Sequence, residues 1–245
     1  MRIVAWNVNH RTRRKPVPEA LPATLLALGP DLVVLTEYVV GPDHDGFCKA
    51  LRTGGLNARF MTSTRTGHNQ VFVATRLSAQ AGTFTHPDPA SHAASNWLHI
   101  RIFDPALDLV GLRVPMYETS AEAHAYWTWF EEASHRFLSA PAVLIGDLNV
   151  DPDRPPGPGS EALQRLRTLG WQIPAEEGPW SWIGSSGVTS RLDHALLSPF
   201  VRCRSARYLD RVDGRVVAGP DALSDHALLV LDIELGGEQP DVEAE

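Results

Sequence analysis

Carboxylate, amide and imidazole side chains cluster in four short segments of this chain, each beside an apolar run. The segments are Trp6-Asn7-Val8-Asn9-His10, Thr36-Glu37-Tyr38, Gly146-Asp147-Leu148-Asn149 and Ser224-Asp225-His226. Taken singly, a Glu at a strand end or an Asp-x-Asn pair is typical of ordinary turn chemistry. Together they supply the oxygen ligands that a hard cation such as Mg²⁺ prefers. The combination predicts hydrolysis of a phosphate ester, which needs charge neutralisation, an activated nucleophile and a stabilised leaving oxygen.

Each of these side chains suits one part of that chemistry. Glu37 can hold the metal ion, and the amides of Asn7 and Asn149 can donate to phosphate oxygens without adding negative charge. Asp147 can align or deprotonate the attacking water, and His226, oriented by a carboxylate, can support the charge that develops on phosphorus. The two cysteines lack metal-ligand spacing, so Mg²⁺, with Mn²⁺ as a substitute, is predicted instead of zinc.

Short apolar runs bounded by turn residues predict eight strands around these segments. They are Ile3–Trp6, Leu32–Leu35, Gln70–Ala74, Trp97–Phe103, Leu107–Val114, Ala142–Ile145, Leu192–Leu197 and Ala227–Ile233. Helical patterns cover Glu19–Leu28, Ser120–Leu138 and Ser160–Leu169. Strands outnumber helices and often follow one another, which favours two packed sheets flanked by helices.

The Pro/Gly-rich segment Asp151–Gly159 predicts a surface loop, with a domain linker as the alternative. Strands on both sides of it carry pieces of one apparent site. A single catalytic domain over residues 1–235 is therefore predicted, followed by an acidic, flexible tail at residues 236–245.

The order of these motifs resembles that of the endonuclease/exonuclease/phosphatase superfamily, nearest to its exonuclease III-like members. Five motifs between residue 2 and residue 233 match in order: Trp-Asn-Val-Asn, Leu-Thr-Glu, Ile-Gly-Asp-Leu-Asn, Ser-Arg-Leu-Asp-His-Ala-Leu-Leu-Ser and Leu-Ser-Asp-His-Ala. The resemblance implies an α/β (α+β) fold, a four-layered sandwich with two mixed, mainly antiparallel sheets face to face and helices outside. It also implies a metal-dependent phosphoesterase.

The resemblance assigns roles to the matching positions of the first three motifs. Asn7 helps to order the metal and the phosphate, and Glu37 binds the metal. Asp147 and Asn149 position the water and hold the phosphate. Asn9 stands where relatives have Asp or Asn, so it offers the metal an oxygen without a charge.

The last two motifs complete the implied site. Asp193 partners the catalytic histidine, Asp225 lies near the metal, and His226 contacts the scissile phosphate. The Ser181-Trp182 pair fits a Ser/Thr-Trp element of the family, which places Trp182 at the substrate. Core packing by the tryptophan is the alternative interpretation.

Two positions depart from the family's pattern. Nucleases of this branch have a Tyr-x-Pro-Asn/Gln element and other branches a His, whereas here Arg113 takes the Tyr/His position and Met116 the amide position. An Arg can bind a phosphate oxygen in a bidentate way, so Arg113 is predicted to clamp substrate, with a structural role at a sheet end as the alternative. Asn69 falls where relatives place substrate-contacting residues, although an ordinary turn also explains it.

A basic run directly after the first motif includes Arg11, Arg13 and Arg14. Its position beside a phosphate-processing site favours DNA as the partner, because phosphate backbones are bound mainly by such charges. A solvated surface explains the run equally simply. A phosphatase or phosphodiesterase acting on a small molecule or lipid headgroup therefore stays open, as does a catalytically silent binding module.

Composition limits the remaining options. The chain has 245 residues with a formal charge of −7, which argues against nonspecific coating of nucleic acid. No apolar run approaches the roughly 18 residues that span a bilayer. With two cysteines and no signal pattern, a monomeric protein in the reducing cytoplasm is the expectation.

Overall fold

The computed structural model describes residues 1–14, 16–62, 67–86, 88, 93–178 and 180–236. The helices are α1 (Ala20–Ala27), α2 (His44–Thr53), α3 (Ser120–His135) and α4 (Pro158–Thr168). The strands are β1 (Arg2–Asn7), β2 (Leu32–Tyr38), β3 (Ala58–Met61), β4 (Gln70–Thr75), β5 (Ala79–Ala81), β6 (Trp97–Phe103), β7 (Ala106–Arg113), β8 (Ala142–Asp147), β9 (Trp182–Ile183), β10 (Thr189–Ser190), β11 (Asp193–Leu197), β12 (Val201–Leu209), β13 (Arg211–Val212), β14 (Arg215–Val216) and β15 (Leu228–Leu235).

The strands form two large sheets. One has six strands in the order β12-β15-β1-β2-β4-β3, and the other has five in the order β11-β8-β7-β6-β5. Among the described strands, β1–β2 and β7–β8 pair in parallel and the other pairs are antiparallel. Two mixed, mainly antiparallel sheets with helices outside make the predicted four-layered α/β sandwich, so the fold prediction is confirmed.

Three apolar clusters hold the four layers together. The cluster between the sheets joins residues such as Ile3 and Val34 to Leu109 and Ile145 of the facing sheet. A second cluster packs α1 and α2 against the six-stranded sheet, and a third packs α3 and α4 against the five-stranded sheet. Because side chains alternate along a strand, each sheet supplies one face to the central cluster and the other to its helices.

The predicted elements are present, with two instructive differences. Strands β2 and β8 continue through Glu37 and Asp147, so these polar residues lie within the strands instead of after them. Helix α4 begins at Pro158, two residues before the predicted start, because proline fits the first helical turn. In the described part of the chain, no helix is long and apolar enough to cross a bilayer. Of the predicted tail, residues 237–245 lie outside the described residues.

Candidate active site

Strands β1, β2, β7 and β8 end at one edge of the sandwich and bring the polar motifs together. In the six-stranded sheet Asn7 pairs with Thr36, the residue before Glu37. In the five-stranded sheet Asp147 lies between Arg113 of β7 and Asp193 of β11. The parallel pairs β1–β2 and β7–β8 make this convergence possible, since parallel strands present their carboxyl ends on the same side. A cleft between the two sheets results.

Gly146 sets the position of Asp147. Its φ of +148° is open to glycine, and a Cβ built there would meet the carbonyl oxygen of Leu112 at 2.0 Å. The absence of a side chain lets β8 lie against β7 immediately before the carboxylate. The Gly-Asp order of the motif thus has a direct steric cause.

Asp147, Asp193 and His226 converge at the floor of the cleft. One oxygen or nitrogen atom of each lies within 4.8 Å of those of the other two. The Nδ1 atom of His226 is 2.8 Å from Oδ2 of Asp193, which leaves Nε2 as the free ring nitrogen. All three residues are buried, Asp147 with an exposed fraction of 1%. This burial strengthens every charge interaction in the cluster.

The same burial sets the protonation of the cluster. Burial and the neighbouring Asp193 raise the pKa of Asp147 to about 6, against the opposing effect of His226 and Arg113. Burial alone would lower the pKa of His226, but the Asp193 carboxylate, together with Asp147 and Asp225, outweighs it and raises the pKa to about 9. A carboxylate poised near neutrality beside a stable imidazolium is suited to proton transfer and to charge stabilisation respectively.

Both predicted asparagines orient the Asp147 carboxylate. Asn7 Nδ2 donates to Oδ2 of Asp147 at 2.9 Å, and its Oδ1 accepts from the backbone N–H of Asn9. The backbone N–H of Asn149 donates to the other oxygen, Oδ1, at 3.0 Å, while its amide donates to the carbonyl of Val114. The two residues therefore hold Asp147 in one rotamer.

Glu37 faces the cluster from the six-stranded sheet. Its Oε1 accepts from Nε of Arg113 at 3.0 Å and lies 3.0 Å from Nη2 of the same guanidinium, and its Oε2 is 3.5 Å from Nδ1 of His10. Nε of Arg113 is also 3.6 Å from Oδ2 of Asp147. Arg113 thus bridges the two sheets at the cleft, in the place where the sequence predicted a substrate clamp.

Asp225 and its neighbours complete the edge of the site. Asn9 Nδ2 donates to Oδ1 of Asp225 at 2.7 Å, and the Trp182 indole N–H donates to Oδ2 at 3.0 Å. Trp182 is half-buried and touches the acidic site directly, so the alternative of simple core packing does not describe it. Whether it contacts substrate stays a prediction.

Two serines fix the polypeptide around these side chains and were not singled out from the sequence as site residues. Ser181 Oγ accepts from the backbone N–H groups of Leu192 and Asp193, at 2.8 and 3.0 Å. Ser224 Oγ donates to the carbonyl of Asn7 at 2.6 Å and accepts from the N–H of His226. Both serines could have been found from the sequence, because each directly precedes a predicted site residue: Ser181 precedes Trp182, and Ser224 precedes Asp225.

Backbone strain is concentrated in this site. Asn9, His10, Glu37 and Asn149 all have a positive φ, between 44° and 57°, which residues other than glycine seldom adopt. Such conformations cost about 1–3 kcal/mol each and persist where the surrounding structure enforces them. The coincidence of strain with the predicted site residues supports a functional, pre-organised cleft.

The residues predicted to bind substrate differ in how far their side chains are already engaged in contacts within the protein. Arg11 donates from Nε to the carbonyl of Leu223 and from Nη2 to that of Ala222, so much of its guanidinium is occupied internally. Arg13 and Arg14 are exposed. Asn69, Met116 and Arg113 all line one cavity, of 700 Å³. Contact between these residues and the substrate stays a prediction.

A second buried ion pair supports the loops behind the site. His194 Nδ1 is 3.1 Å from Oε1 of Glu176, and its Nε2 is within 3.0 Å of the carbonyl oxygens of Val150 and Arg191. Acceptors on both ring nitrogens require the imidazolium form. Burial alone lowers the pKa of His194, but the Glu176 carboxylate and the two carbonyls together raise it.

We expect His194→Gln to lower the free energy of unfolding by on the order of 3 kcal/mol at pH 6, because it leaves Glu176 buried without its cation. A raised pKa stabilises the fold fully below the unfolded-state value of about 6.5, and this contribution is lost as pH rises through the folded-state value. Urea unfolding should show that the difference in free energy of unfolding between the wild type and the variant becomes smaller from pH 6 to pH 9. The exposed His135→Gln serves as control, and a gap independent of pH would refute the assignment.

Comparison with known proteins agrees with this geometry. Residues 4–226 match the model of the endonuclease/exonuclease/phosphatase family. Among solved structures, an AP endonuclease from Archaeoglobus fulgidus superposes with a TM-score of 0.71 at 17% identity, over 96% of this chain and 100% of that chain. A 3'-5' exonuclease from Neisseria meningitidis gives 0.71 at 20% identity, over 96% and 100%.

A 3' phosphatase from Neisseria bound to a product DNA hairpin gives a TM-score of 0.72 at 18% identity, over 96% of this chain and 99% of that chain. No curated protein sequence gave a significant match. The family match covers most of the chain and spans the motifs from the first strand to His226. The chain therefore belongs to the endonuclease/exonuclease/phosphatase family and is a phosphoesterase.

Proposed function

We propose that the protein is a Mg²⁺-dependent phosphodiesterase that hydrolyses DNA by in-line attack of water. The observation that carries the proposal is the buried convergence of Asp147, Asp193 and His226, with one side-chain oxygen or nitrogen atom of each within 4.8 Å of those of the other two. A base and an imidazolium held this close can act on the two sides of one phosphorus atom. The strand ends that supply them are rigid, so little reorganisation is needed during the reaction.

The donor chemistry beside this cluster fits a hard divalent cation. Glu37 and Asp225 contribute carboxylates, and Asn7 and Asn9 contribute amide oxygens, which is the ligand type that Mg²⁺ selects. These four residues would hold the ion. When bound, Mg²⁺ supplies Lewis-acid polarisation of the phosphate and stabilises charge on the leaving oxygen.

The protein's own residues perform the proton and charge steps. The Asp147 carboxylate, held by the Asn7 amide and the Asn149 N–H, orients a water molecule and accepts its proton. His226, held by Asp193, directs Nε2 to a phosphate oxygen and offsets the negative charge that grows there. Asn149 uses one side-chain N–H on the carbonyl of Val114, and its second N–H can donate to a phosphate oxygen.

DNA as the substrate is supported from two directions. The structurally similar proteins include an AP endonuclease and a phosphatase bound to a product DNA hairpin. On this chain, Arg13 and Arg14 are exposed and follow the first motif closely in sequence. Exposed arginines at the edge of a phosphate site bind the backbone on either side of the scissile bond.

A small phosphate ester is the second candidate, and a specific observation favours it. The 700 Å³ cavity that Arg113 lines is edged by acidic side chains, among them Glu118 and Glu122. Acidic groups repel a polyanion but accept a neutral or cationic polar group of a small molecule. This candidate uses the same proton-transfer residues.

A substrate screen under metal control tests the proposed function. The purified chain is assayed with Mg²⁺ or EDTA on duplex DNA, single-stranded DNA, RNA and bis(p-nitrophenyl) phosphate. We expect Mg²⁺-dependent cleavage of DNA that EDTA abolishes. Hydrolysis confined to the small ester would favour the second candidate, and an EDTA-resistant reaction would remove the metal from the mechanism.

Neutralising the exposed arginines tests the nucleic-acid interface separately. We expect Arg13→Gln/Arg14→Gln to raise KM for an oligonucleotide and to reduce the slope of log KM against log salt by about 2, because each arginine neutralises about one phosphate. Hydrolysis of bis(p-nitrophenyl) phosphate should not change. The matched control Arg52→Gln/Arg202→Gln removes the same charge from exposed positions at the opposite end of the strands. An unchanged salt slope in the first variant would exclude this interface.

A further inference from the structure

Arg113 makes its charged contacts with the residues that the proposed reaction uses. Its guanidinium donates from Nε to Oε1 of Glu37 at 3.0 Å, and its Nη2 also lies 3.0 Å from that oxygen. The same Nε is 3.6 Å from Oδ2 of Asp147. The side chain has an exposed fraction of 15%, and Glu37 has 14%. A cation in this position balances two carboxylates from different sheets that would otherwise repel each other.

The position of Arg113 conflicts with metal binding by Glu37. Oε1 of Glu37 cannot give its full electron density to a divalent cation while it accepts a charge-assisted hydrogen bond from Nε of Arg113 and lies 3.0 Å from Nη2 of the same guanidinium. Its other oxygen faces His10 at 3.5 Å. A metal ion that takes Glu37 as a ligand must therefore weaken or displace the guanidinium, because two cations would otherwise share one carboxylate oxygen.

A displaced guanidinium has a second place to bind. Arg113 ends β7 beside Asp147 and also lines the 700 Å³ cavity, so its side chain borders both the reaction floor and the open space above it. A phosphate held by His226 and Asn149 would bring oxygens to this boundary. The planar guanidinium binds such oxygens in pairs, which a lysine ammonium cannot do.

Resting on the proposed function, we infer that Arg113 is a mobile counter-ion that couples the binding of metal to the binding of phosphate. Without metal it neutralises Glu37 and Asp147. When a divalent cation binds Glu37, the guanidinium is released and takes a phosphate oxygen. Each ligand thereby favours the other, and thermodynamic linkage requires the effect to be equal in both directions.

The inference makes two opposite predictions for Arg113→Gln. Removing the competing cation should tighten Mn²⁺ binding in the absence of phosphate about tenfold, since a charge-assisted hydrogen bond no longer has to be broken. Removing the clamp should weaken inorganic phosphate binding at saturating Mn²⁺ by about the same factor. A purely structural arginine would not change the two affinities in opposite directions.

Equilibrium binding measures both affinities without turnover. Free Mn²⁺ is followed by electron paramagnetic resonance, and inorganic phosphate binding by calorimetry with and without Mn²⁺. Arg113→Lys, which keeps the charge but loses the paired donors, should lie between the wild type and Arg113→Gln, and it stands in if the latter fails to fold. Arg154→Gln is the control, because Arg154 lines a neighbouring cavity and pairs with Asp151.

The outcomes separate this inference from the proposed function. Tighter Mn²⁺ binding with weaker phosphate binding supports the coupling role. Unchanged or weaker Mn²⁺ binding by Arg113→Gln, with normal Mn²⁺ binding by the wild type, overturns the inference and leaves the proposed function standing. If the wild type binds no Mn²⁺, both are overturned.

Discussion

Replacement of Asp147 by Asn is expected to lower kcat by about 10³-fold on any substrate that the enzyme accepts, a typical effect of losing a general base. The amide keeps the shape of the side chain but cannot take a proton from water. KM should change little, because the carboxylate contributes to the reaction step more than to substrate binding. Steady-state kinetics with Mg²⁺ measures both quantities.

The same substitution should not destabilise the fold. The pKa of Asp147 is raised to about 6 by burial and by Asp193, which shows that the ionised carboxylate is held in an unfavourable place. An amide removes that repulsion, so the melting temperature of Asp147→Asn should equal or exceed that of the wild type. A site that sacrifices stability for function behaves in this way.

Asp153→Asn provides the matched control. Asp153 is exposed in the loop six residues after Asp147, and its charge faces solvent instead of the cleft. This variant should retain wild-type kcat and melting temperature. If Asp147→Asn kept more than about a tenth of wild-type activity, a loss far below that expected for a general base, Asp147 would not be the base. A lower melting temperature for that variant would mean that the carboxylate stabilises the fold.

The layout of this site was largely predictable because the polar motifs follow apolar strands. A run such as Ala142–Ile145 indicates a buried strand whatever its neighbours are, and the acidic residue at its end then points to a sheet edge. The boundary itself was less predictable. Asp147 and Glu37 are polar, which suggests a loop, yet both strands continue through these positions.

Several short strands were not predicted, and two longer elements, α2 and β12, escaped prediction for different physical reasons. Helix α2 buries Phe47, Cys48 and Leu51 along one face, but its ten residues are fewer than the roughly 11–18 over which a helical period is read from a sequence. Strand β12 contains a bulge between Cys203 and Ser205, which interrupts the alternation of buried and exposed residues. A sequence pattern that depends on strict alternation cannot detect such a strand.

Side-chain partners were the least predictable feature. The sequence predicted that both Arg11 and Arg113 bind phosphate. In the structure, Arg11 donates to backbone carbonyls and Arg113 donates to Glu37. Residue type specifies what a guanidinium can bind, but only the three-dimensional arrangement decides which acceptor is nearest. The contacts of Arg13 and Arg14 with substrate accordingly remain predictions from charge and position.

Asp193→Asn is expected to lower kcat/KM at pH 8 by about 10³-fold, through its effect on His226. The Asp193 carboxylate is 2.8 Å from Nδ1 of His226 and is the main cause of the raised pKa, about 9, of that histidine. An amide supplies no negative charge, so burial again dominates and the pKa of His226 falls. The imidazole is then mostly neutral at pH 8 and cannot offset charge on the phosphate.

The pH dependence of kcat/KM shows the direction in which the pKa of His226 changes. In the wild type, kcat/KM should fall below about pH 6, where Asp147 becomes protonated, and above about pH 9, where His226 loses its proton. Asp193→Asn should move the alkaline limb to lower pH and keep the acidic limb, or shift it slightly to lower pH, because Asp193 also raises the pKa of Asp147. His226→Asn should show no alkaline limb from this residue.

The neighbouring histidine supplies the control for this pair. His194 is buried beside Asp193 in sequence, but its ring faces Glu176 and not the cleft, so His194→Gln should keep the alkaline limb near pH 9 at temperatures where it is folded. All profiles are measured at one saturating metal concentration, which makes any effect of the ion common to every variant. If Asp193→Asn left the alkaline limb in place, the proton lost there would belong to a group other than His226, and its role as the imidazolium that stabilises the phosphate would have to be abandoned.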